Sequence, residues 1–205
     1  MEVTIKPYEE AIKFHGHNCP GLAIGYRASE IAMKELLSDR SEDEELVCIA
    51  ENDACSVDGV QFVTGCTMGK GNLIFRDYGK QVYTFIMRDG SDAVRIVLKD
   101  TSSMDKIDPK AMKARAKVFT GTATPEEFEA YNSARLKLID IYLTSPSEEI
   151  FEVRHIKPEI PERAKIFNSV KCESCGETVS ESRARVQDGK IVCIPCYNEY
   201  LGINR

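Results

Sequence analysis

The stretch Leu46 to Asp77, LVCIAENDACSVDGVQFVTGCTMGKGNLIFRD, changes its periodicity twice. LVCIA is a short continuous apolar run, the pattern of a buried strand. Val57, Val60 and Val63 or Thr64 then recur at helical spacing, so a helix is expected just after Cys55. From Asn72 the pattern turns strand-like again. NLIFRD is followed by QVYTFIMR and AVRIVL, separated by YGK and DGSD. Those separators are turn signals, so the three runs are expected to form an antiparallel meander. Helices and strands are interspersed, yet neighbouring hairpin strands run antiparallel. That predicts an α+β fold and argues against a doubly wound one.

Upstream, a short helix is expected from Pro7 to Phe14 and a second from Pro20 to about Leu37, the latter carrying Leu22, Tyr26, Met33 and Leu36 on one face. Pro20 suits a first helical position, which makes Cys19 the N-cap. SDRSEDEE, ahead of LVCIA, reads as an acidic solvated loop. Downstream, Asp108-Pro109 opens a helix through KAMKARAKVF. Thr124-Pro125-Glu126-Glu127 is a capping box opening a longer helix to about Leu143. The Pro-containing TSPSEEIFEVRHIKPEIPERAKIF reads as a connector with one strand in IFEVRHI, and His155 within it reads as structural. The expected organisation is a core domain over residues 1–160 and a second, smaller domain over 166–205.

The chain has 205 residues, 42% of them apolar, with a net charge of −6. No run approaches the roughly 20 apolar residues of a membrane span. The beginning MEVTIKPYEE is not that of a secretory signal, so a cytoplasmic location without membrane association is expected. The acidic balance argues against a general nucleic-acid binder. In a reducing compartment the eight cysteines are metal ligands or reactive thiols rather than disulfides.

Four of them are paired. Cys172, Cys175, Cys193 and Cys196 follow the spacing C-x2-C-x17-C-x2-C, that of a four-cysteine zinc site. Two residues between thiolates let one tight turn offer both sulfurs to one ion, and two such turns complete a tetrahedron. Gly176 suits a knuckle needing positive φ, QDGK a hairpin turn, and PCYNEYLG a short terminal helix. Together these predict a treble-clef finger, with structural Zn²⁺ supplying much of the folding energy. From Pro161 onward there are seven Lys or Arg and six Asp or Glu. Four thiolates around one zinc bring the balance to about −1. No basic face is implied, and a structural role or a protein partner fits this finger better than nucleic acid.

Two of the three histidines stand in FHGHNCPGLAIGYRA, at His15 and His17, with Cys19 two residues on. Residues two apart in extended chain point the same way. The helix N-terminus is expected to lower the Cys19 pKa. Cys55 sits at another expected helix start. The plain alternative is that the histidines are hydrogen-bonded structural groups, but H-x-H-x-C before a helix favours a metal or reactive site. TGCTMGKGN lacks the Ser/Thr that a phosphate-binding loop places after Gly-Lys, so that reading is rejected. Its Cys66 and Lys70 either approach the same pocket or serve the turn. Cys48, inside LVCIA, reads as a small core residue.

FHGHNCPGLAIGYRA, DACSVDGVQFVTGCTMGKGNL and the closing CESC and CIPC together resemble the FmdE-like family, named for the E-subunit of formylmethanofuran dehydrogenase. The resemblance is close over residues 8 to 100 and returns at the finger. It implies an α+β core with a mixed sheet flanked by helices, a C-terminal treble-clef finger, a metal site in a cleft, and a homodimer. The parent enzyme is a tungsten or molybdenum enzyme that reduces CO₂ to a formyl group on methanofuran, a step of methanogenesis, but the family extends beyond methane producers. Its His and Cys motifs match here at His15, His17, Cys19, Cys55 and Cys66. Nothing in the chain resembles a pterin-binding or iron–sulfur domain, so it should not perform the CO₂ chemistry alone.

The expected function is an accessory, oxidoreductase-associated metalloprotein with a second divalent metal, Zn²⁺ foremost, in the core. His17, Cys19 and Cys55 are the expected ligands with His15 as substitute or support. That leaves one position open, as catalytic zinc requires. Asp58, Cys66 and Lys70 are the candidate catalytic groups. The alternatives are a thiol redox or metal-delivery protein working through Cys19, Cys55 and Cys66, and a non-catalytic adapter docking through the finger.

Overall fold

The structure, a computed structural model, describes residues 3–100 and 103–198. It divides into two compact units, residues 1–163 and 164–205.

In the first unit, α1 (Tyr8–His15) and α2 (Pro20–Glu35) precede β1 (Leu46–Ala50), α3 (Ser56–Thr64) and β2 (Leu73–Phe75). Then come β3 (Val82–Met87), β4 (Ala93–Leu98), the short α4 (Met104–Ile107), α5 (Pro109–Phe119) and α6 (Pro125–Thr144). A single turn, α7 (Ser147–Ile150), leads into β5 (Phe151–His155). The five strands form one mixed sheet in the order β2-β1-β3-β4-β5. β3 and β4 are the expected antiparallel hairpin, with Phe85 opposite Val94.

The three-stranded meander does not form. β2 runs parallel to β1, pairing Cys48 with Leu73, and never meets β3. The reason is α3, which lies between β1 and β2 and carries the chain back, so that β2 starts at the same end of the sheet as β1. Parallel neighbours need such a crossover. The freed side of β1 pairs antiparallel with β3, Cys48 opposite Phe85. β1 is thereby paired on both sides and buried along its whole length, which explains its continuous apolar run.

One sheet face, with Cys48, Ala50, Tyr83, Phe85, Val94 and Ile96, packs against Leu22 of α2, Val60 of α3 and Leu138 of α6. The opposite face has a smaller cluster of Ile49, Ile86 and Ala93, joined by Ile156 from the segment after β5. Arg88 holds that segment by donating to the Pro161 carbonyl at 2.7 Å. No helix of the described residues is long and apolar enough to cross a membrane.

The helix boundaries follow their caps. The Asp108 side chain accepts the Lys110 amide at the start of α5, and the Thr124–Glu127 capping box opens α6. The crossing of α2 and α3 is unusually close. A Cβ on Gly25 would lie 1.8 Å from the Ser56 carbonyl oxygen, and one on Gly59 would lie 2.5 Å from the Tyr26 amide nitrogen. Only glycine lets the two backbones touch in this way.

The second unit is two hairpins. β6 (Ser169–Lys171) pairs with β7 (Thr178–Ser180), and β8 (Ala184–Gln187) with β9 (Lys190–Cys193). The turn between β8 and β9 has positive φ at both Asp188 and Gly189, the geometry of a tight two-residue hairpin. Gly176 has φ 79°, as its place in the knuckle demands. Ile194–Cys196 is a single 3-10 turn and residues 197–198 are not helical, so the terminal helix expected over PCYNEYLG does not begin there, and the rest of that stretch lies outside the described residues.

Candidate metal centre

The close α2–α3 crossing brings two helix N-termini together. Cys19 caps α2 in extended geometry, and its thiol accepts the Leu22 amide at 3.3 Å. Cys55 stands immediately before α3, so near α2 that a Cβ on Gly21 would lie 3.0 Å from the Cys55 Cβ. α1 delivers the histidines. His15 is its last residue, and Gly16 breaks the helix with φ 94°. The helix end and the glycine turn, rather than strand-like alternation, therefore bring His15 and His17 to one place. Their rings lie 4.4 Å apart. The following Asn18 is pinned on both sides. Its side chain accepts the Tyr8 hydroxyl at 2.8 Å, and its carbonyl accepts from the Arg135 guanidinium.

The ligand atoms of His15, His17, Cys19 and Cys55 all lie within 4.8 Å of one another. His15 Nε2 is 3.7 Å from Cys19 Sγ. A tetrahedral ion with ordinary zinc–nitrogen and zinc–sulfur bonds separates two such donors by about 3.6 Å. Two imidazoles and two thiols at this spacing suit a borderline-soft divalent ion. The other His15 nitrogen, Nδ1, is 2.7 Å from Asp58 Oδ2. Asp58 is itself steadied by Gln61, whose amide donates to Oδ1 at 3.2 Å. A carboxylate behind a histidine fixes the ring's tautomer and direction.

The Cys19 thiol is pushed up from its ordinary value, contrary to the expectation from its helix N-terminus. Burial is the largest cause. The Leu22 amide pulls the other way, and Cys55 adds to the rise. Desolvation of a thiolate outweighs the Leu22 and Gly21 amide hydrogen bonds here.

Cys66 and Lys70 are placed elsewhere. Cys66 is fully buried, its thiol donates to the Leu46 carbonyl at 3.4 Å, and burial pushes its pKa up to about 11. Lys70 Nζ donates to the carbonyls of Ser41 and Glu42 at 3.1 and 3.2 Å. The glycine-rich turn thus anchors the acidic loop before β1 and brings neither residue to the histidines. Cys48 is a buried core thiol raised well above its ordinary value, first by desolvation. His155 lies between Asp92 and Glu35 at 3.1 Å from each.

Cys19, Cys55 and His17 open onto a cavity of about 820 Å³ whose far wall is α5 and α6. Arg115, Phe119, Tyr131 and Arg135 belong to that wall and were not expected from the sequence. The available hint was the recurrence of Met112 and Phe119 one heptad apart in a helix whose other residues, beyond Pro109 and Val118, are alanine, lysine or arginine; both side chains are exposed in the structure.

In the second unit, Cys172, Cys175, Cys193 and Cys196 also gather within 4.8 Å, with Cys175 Sγ 3.9 Å from Cys193 Sγ. The Cys175 and Cys193 amides lower the Cys172 thiol to about 6. Cys175 rises to about 12, because the neighbouring thiols together with burial outweigh the Glu177 amide, whose hydrogen bond lowers it.

Comparison with known proteins agrees with both units. Residues 165–200 match the prokaryotic dksA/traR C4-type zinc finger, so the four C-terminal cysteines form a zinc finger. A solved structure from Syntrophus aciditrophicus, described as a tungsten formylmethanofuran dehydrogenase FmdE-like protein, has a TM-score of 0.56 and 24% identity, covering 92% of this chain and 89% of its own. At that identity the likeness is one of fold. A protein of Archaeoglobus fulgidus, described as a probable S-adenosyl-L-methionine-binding protein, is 34% identical over 202 residues. The match covers 94% of this chain and 53% of that protein, so the chain spans about half the length of this relative. Residues 14–152 match the family described as FmdE, molybdenum formylmethanofuran dehydrogenase operon, and the chain belongs to that family.

Proposed function

We propose that the core is an accessory metalloprotein module holding one divalent ion, zinc by preference, at an enzyme-like site. His15, Cys19 and Cys55 are the fixed ligands and His17 the exchangeable one. The observation that carries this reading is the convergence of the four donors within 4.8 Å beside a cavity. The Asp58 contact favours His15 as a fixed ligand. Its side chain is only 8% exposed, whereas His17 is exposed and faces the cavity. Asp58 then acts as a positioning residue rather than an acid or base.

A bound ion would supply Lewis acidity toward whatever takes its remaining position. The protein's own contribution is placement. Asp58 holds the His15 ring, the Leu22 amide holds the Cys19 sulfur, and Arg135 and Tyr8 hold Asn18 between the two ligand segments. A dication also stabilises both thiolates against the burial that raises Cys19.

The thiol redox alternative loses support because Cys66, its third working group, is sealed in the core. Family resemblance alone supports a homodimer. The near-neutral charge of the finger supports a protein partner there, and eight unpaired cysteines support a reducing, cytoplasmic setting. S-adenosylmethionine enters only as a compound to screen, because the relative so described is about twice the length of the match.

The test is metal counting on the full chain. Two zinc ions per chain are expected, falling to one in the Cys19→Ser, Cys55→Ser double variant. His17→Ala should keep two ions but release the core one faster. A wild-type chain that binds only the finger zinc at saturating zinc would overturn the proposal.

A further inference from the structure

The wall opposite the ligands carries an unused cation. α5 and α6 present Met112, Phe119, Phe128 and Tyr131 to the cavity, with two arginines among them. Arg135 is committed, donating to the Asn18 carbonyl and, at 2.9 Å, to Asn132 Oδ1. Arg115 has no carboxylate partner among the described residues. Its guanidinium lies 5.8 Å from the Phe119 ring centre, and Phe119 meets Tyr131 edge-on at 6.1 Å. The ring face orients the guanidinium and leaves its N–H groups unspent. Asp105 of α4, the one carboxylate among the described residues lining the cavity, already accepts a hydrogen bond from Ser103.

From this arrangement we infer that the cavity takes a small carboxylate with an aromatic or otherwise flat apolar body. Its carboxylate meets Arg115, its body lies among Phe119, Phe128 and Tyr131, and its other end is directed at the His/Cys centre. The cavity's 820 Å³ is within the range of sites for such molecules. Arginine is suited to the anion because its planar fork matches a carboxylate with two parallel hydrogen bonds. The inference rests on the metal reading for the role of the third contact, and on the α5–α6 wall alone for the class of ligand.

The experiment is equilibrium titration of the zinc-loaded full chain with 3-phenylpropionate, 3-phenylpropan-1-ol and acetate. The aromatic carboxylate should bind at least about tenfold more tightly than either the alcohol or acetate, the low end for a charge-assisted pair near water. Arg115→Gln should remove that advantage without changing the affinity for the alcohol, and Arg115→Lys should restore part of it. Metal content, and the absorption of the cobalt-substituted protein, should be the same in wild type and Arg115→Gln. Equal affinity for the three probes, or a carboxylate preference that survives Arg115→Gln because the anion goes to the metal, overturns the inference. A preference lost in Arg115→Gln in a chain holding only its finger zinc would keep the carboxylate subsite and remove the metal reading.

Discussion

Replacing Gly25 by alanine tests whether the α2–α3 crossing builds the site. The new methyl would lie 1.8 Å from the Ser56 carbonyl oxygen, 2.5 Å from its carbonyl carbon and 2.7 Å from its Cα. All three are backbone atoms at the start of α3, so no side chain can swing aside. Restoring ordinary contact requires the helices to part by about 1.5 Å, at the upper end of the roughly 1–3 kcal/mol typical of overpacking. Alanine recovers about 1 kcal/mol of helix propensity, leaving a net loss of about 2 kcal/mol. The second consequence is chemical. Ser56 follows Cys55, and Gly25 is on the helix capped by Cys19, so the shift separates the two sulfurs. Metal–ligand bonds tolerate only about 0.2 Å, so zinc affinity at the core should fall at least tenfold. Urea unfolding of the metal-free protein, followed by circular dichroism, reads the first effect, and zinc competition against a chelator reads the second. A Gly25→Ala chain with wild-type unfolding and wild-type zinc affinity would refute the reasoning.

Asp58→Asn should weaken core zinc binding by roughly 10- to 100-fold, as loss of a ligand's supporting carboxylate does, with little change in finger zinc; equal affinity in a chelator competition would remove Asp58 from the site. Cys193→Ser should make the finger protease-sensitive while the core persists, because zinc binding supplies folding energy to such small units; a finger that resists proteolysis after zinc removal speaks against this. His155 is raised above its ordinary 6.5 by hydrogen bonds to Glu35 and Asp92, and Asp92 is lowered from 3.8, first by His155. The raised histidine stabilises the fold fully below about pH 6.5 and loses that contribution as pH rises through its folded value, while the lowered aspartate loses its share as pH falls below about 4. The stability difference between wild type and His155→Gln should therefore be largest near pH 5 and shrink above about pH 7, and a difference independent of pH would contradict it.

The longer helices were legible in the sequence because their ends are written locally, whereas the single turns α4 and α7 were not expected. Cys19-Pro20, Asp108-Pro109 and Thr124 to Glu127 each combine a cap with a proline or a glutamate at fixed offset, and all three hold in the structure. The partner of β2 was not legible. Leu73–Phe75 is three residues long, and nothing in so short a run states whether it meets β1 or β3. Pairing was settled by α3, which returns the chain parallel to β1. The site divides in the same way. His15, His17, Cys19 and Cys55 stood out because each is next to a helix end, whereas the choice between the histidines depends on Asp58, 43 residues from His15. Lys70 resembled a site residue by the glycines around it, and Cys66 by those glycines and by the family motif. Gly65 has φ 74° and no room for a side chain, because a Cβ there would lie 2.4 Å from the Ser41 carbonyl oxygen. Gly65 serves the loop contact. The cavity wall comes from α5 and α6, whose approach to the ligands is set by tertiary packing and has no local mark.

The central claim is that an ion sits among His15, His17, Cys19 and Cys55. Anomalous diffraction at the zinc edge, from crystals of the zinc-loaded full chain, addresses it without any assumption about activity. The account predicts two peaks per chain. One lies in the finger. The other lies about 2.3 Å from the sulfurs of Cys19 and Cys55 and about 2.0 Å from His15 Nε2. A single peak confined to the finger, or a second peak away from these side chains, would contradict it.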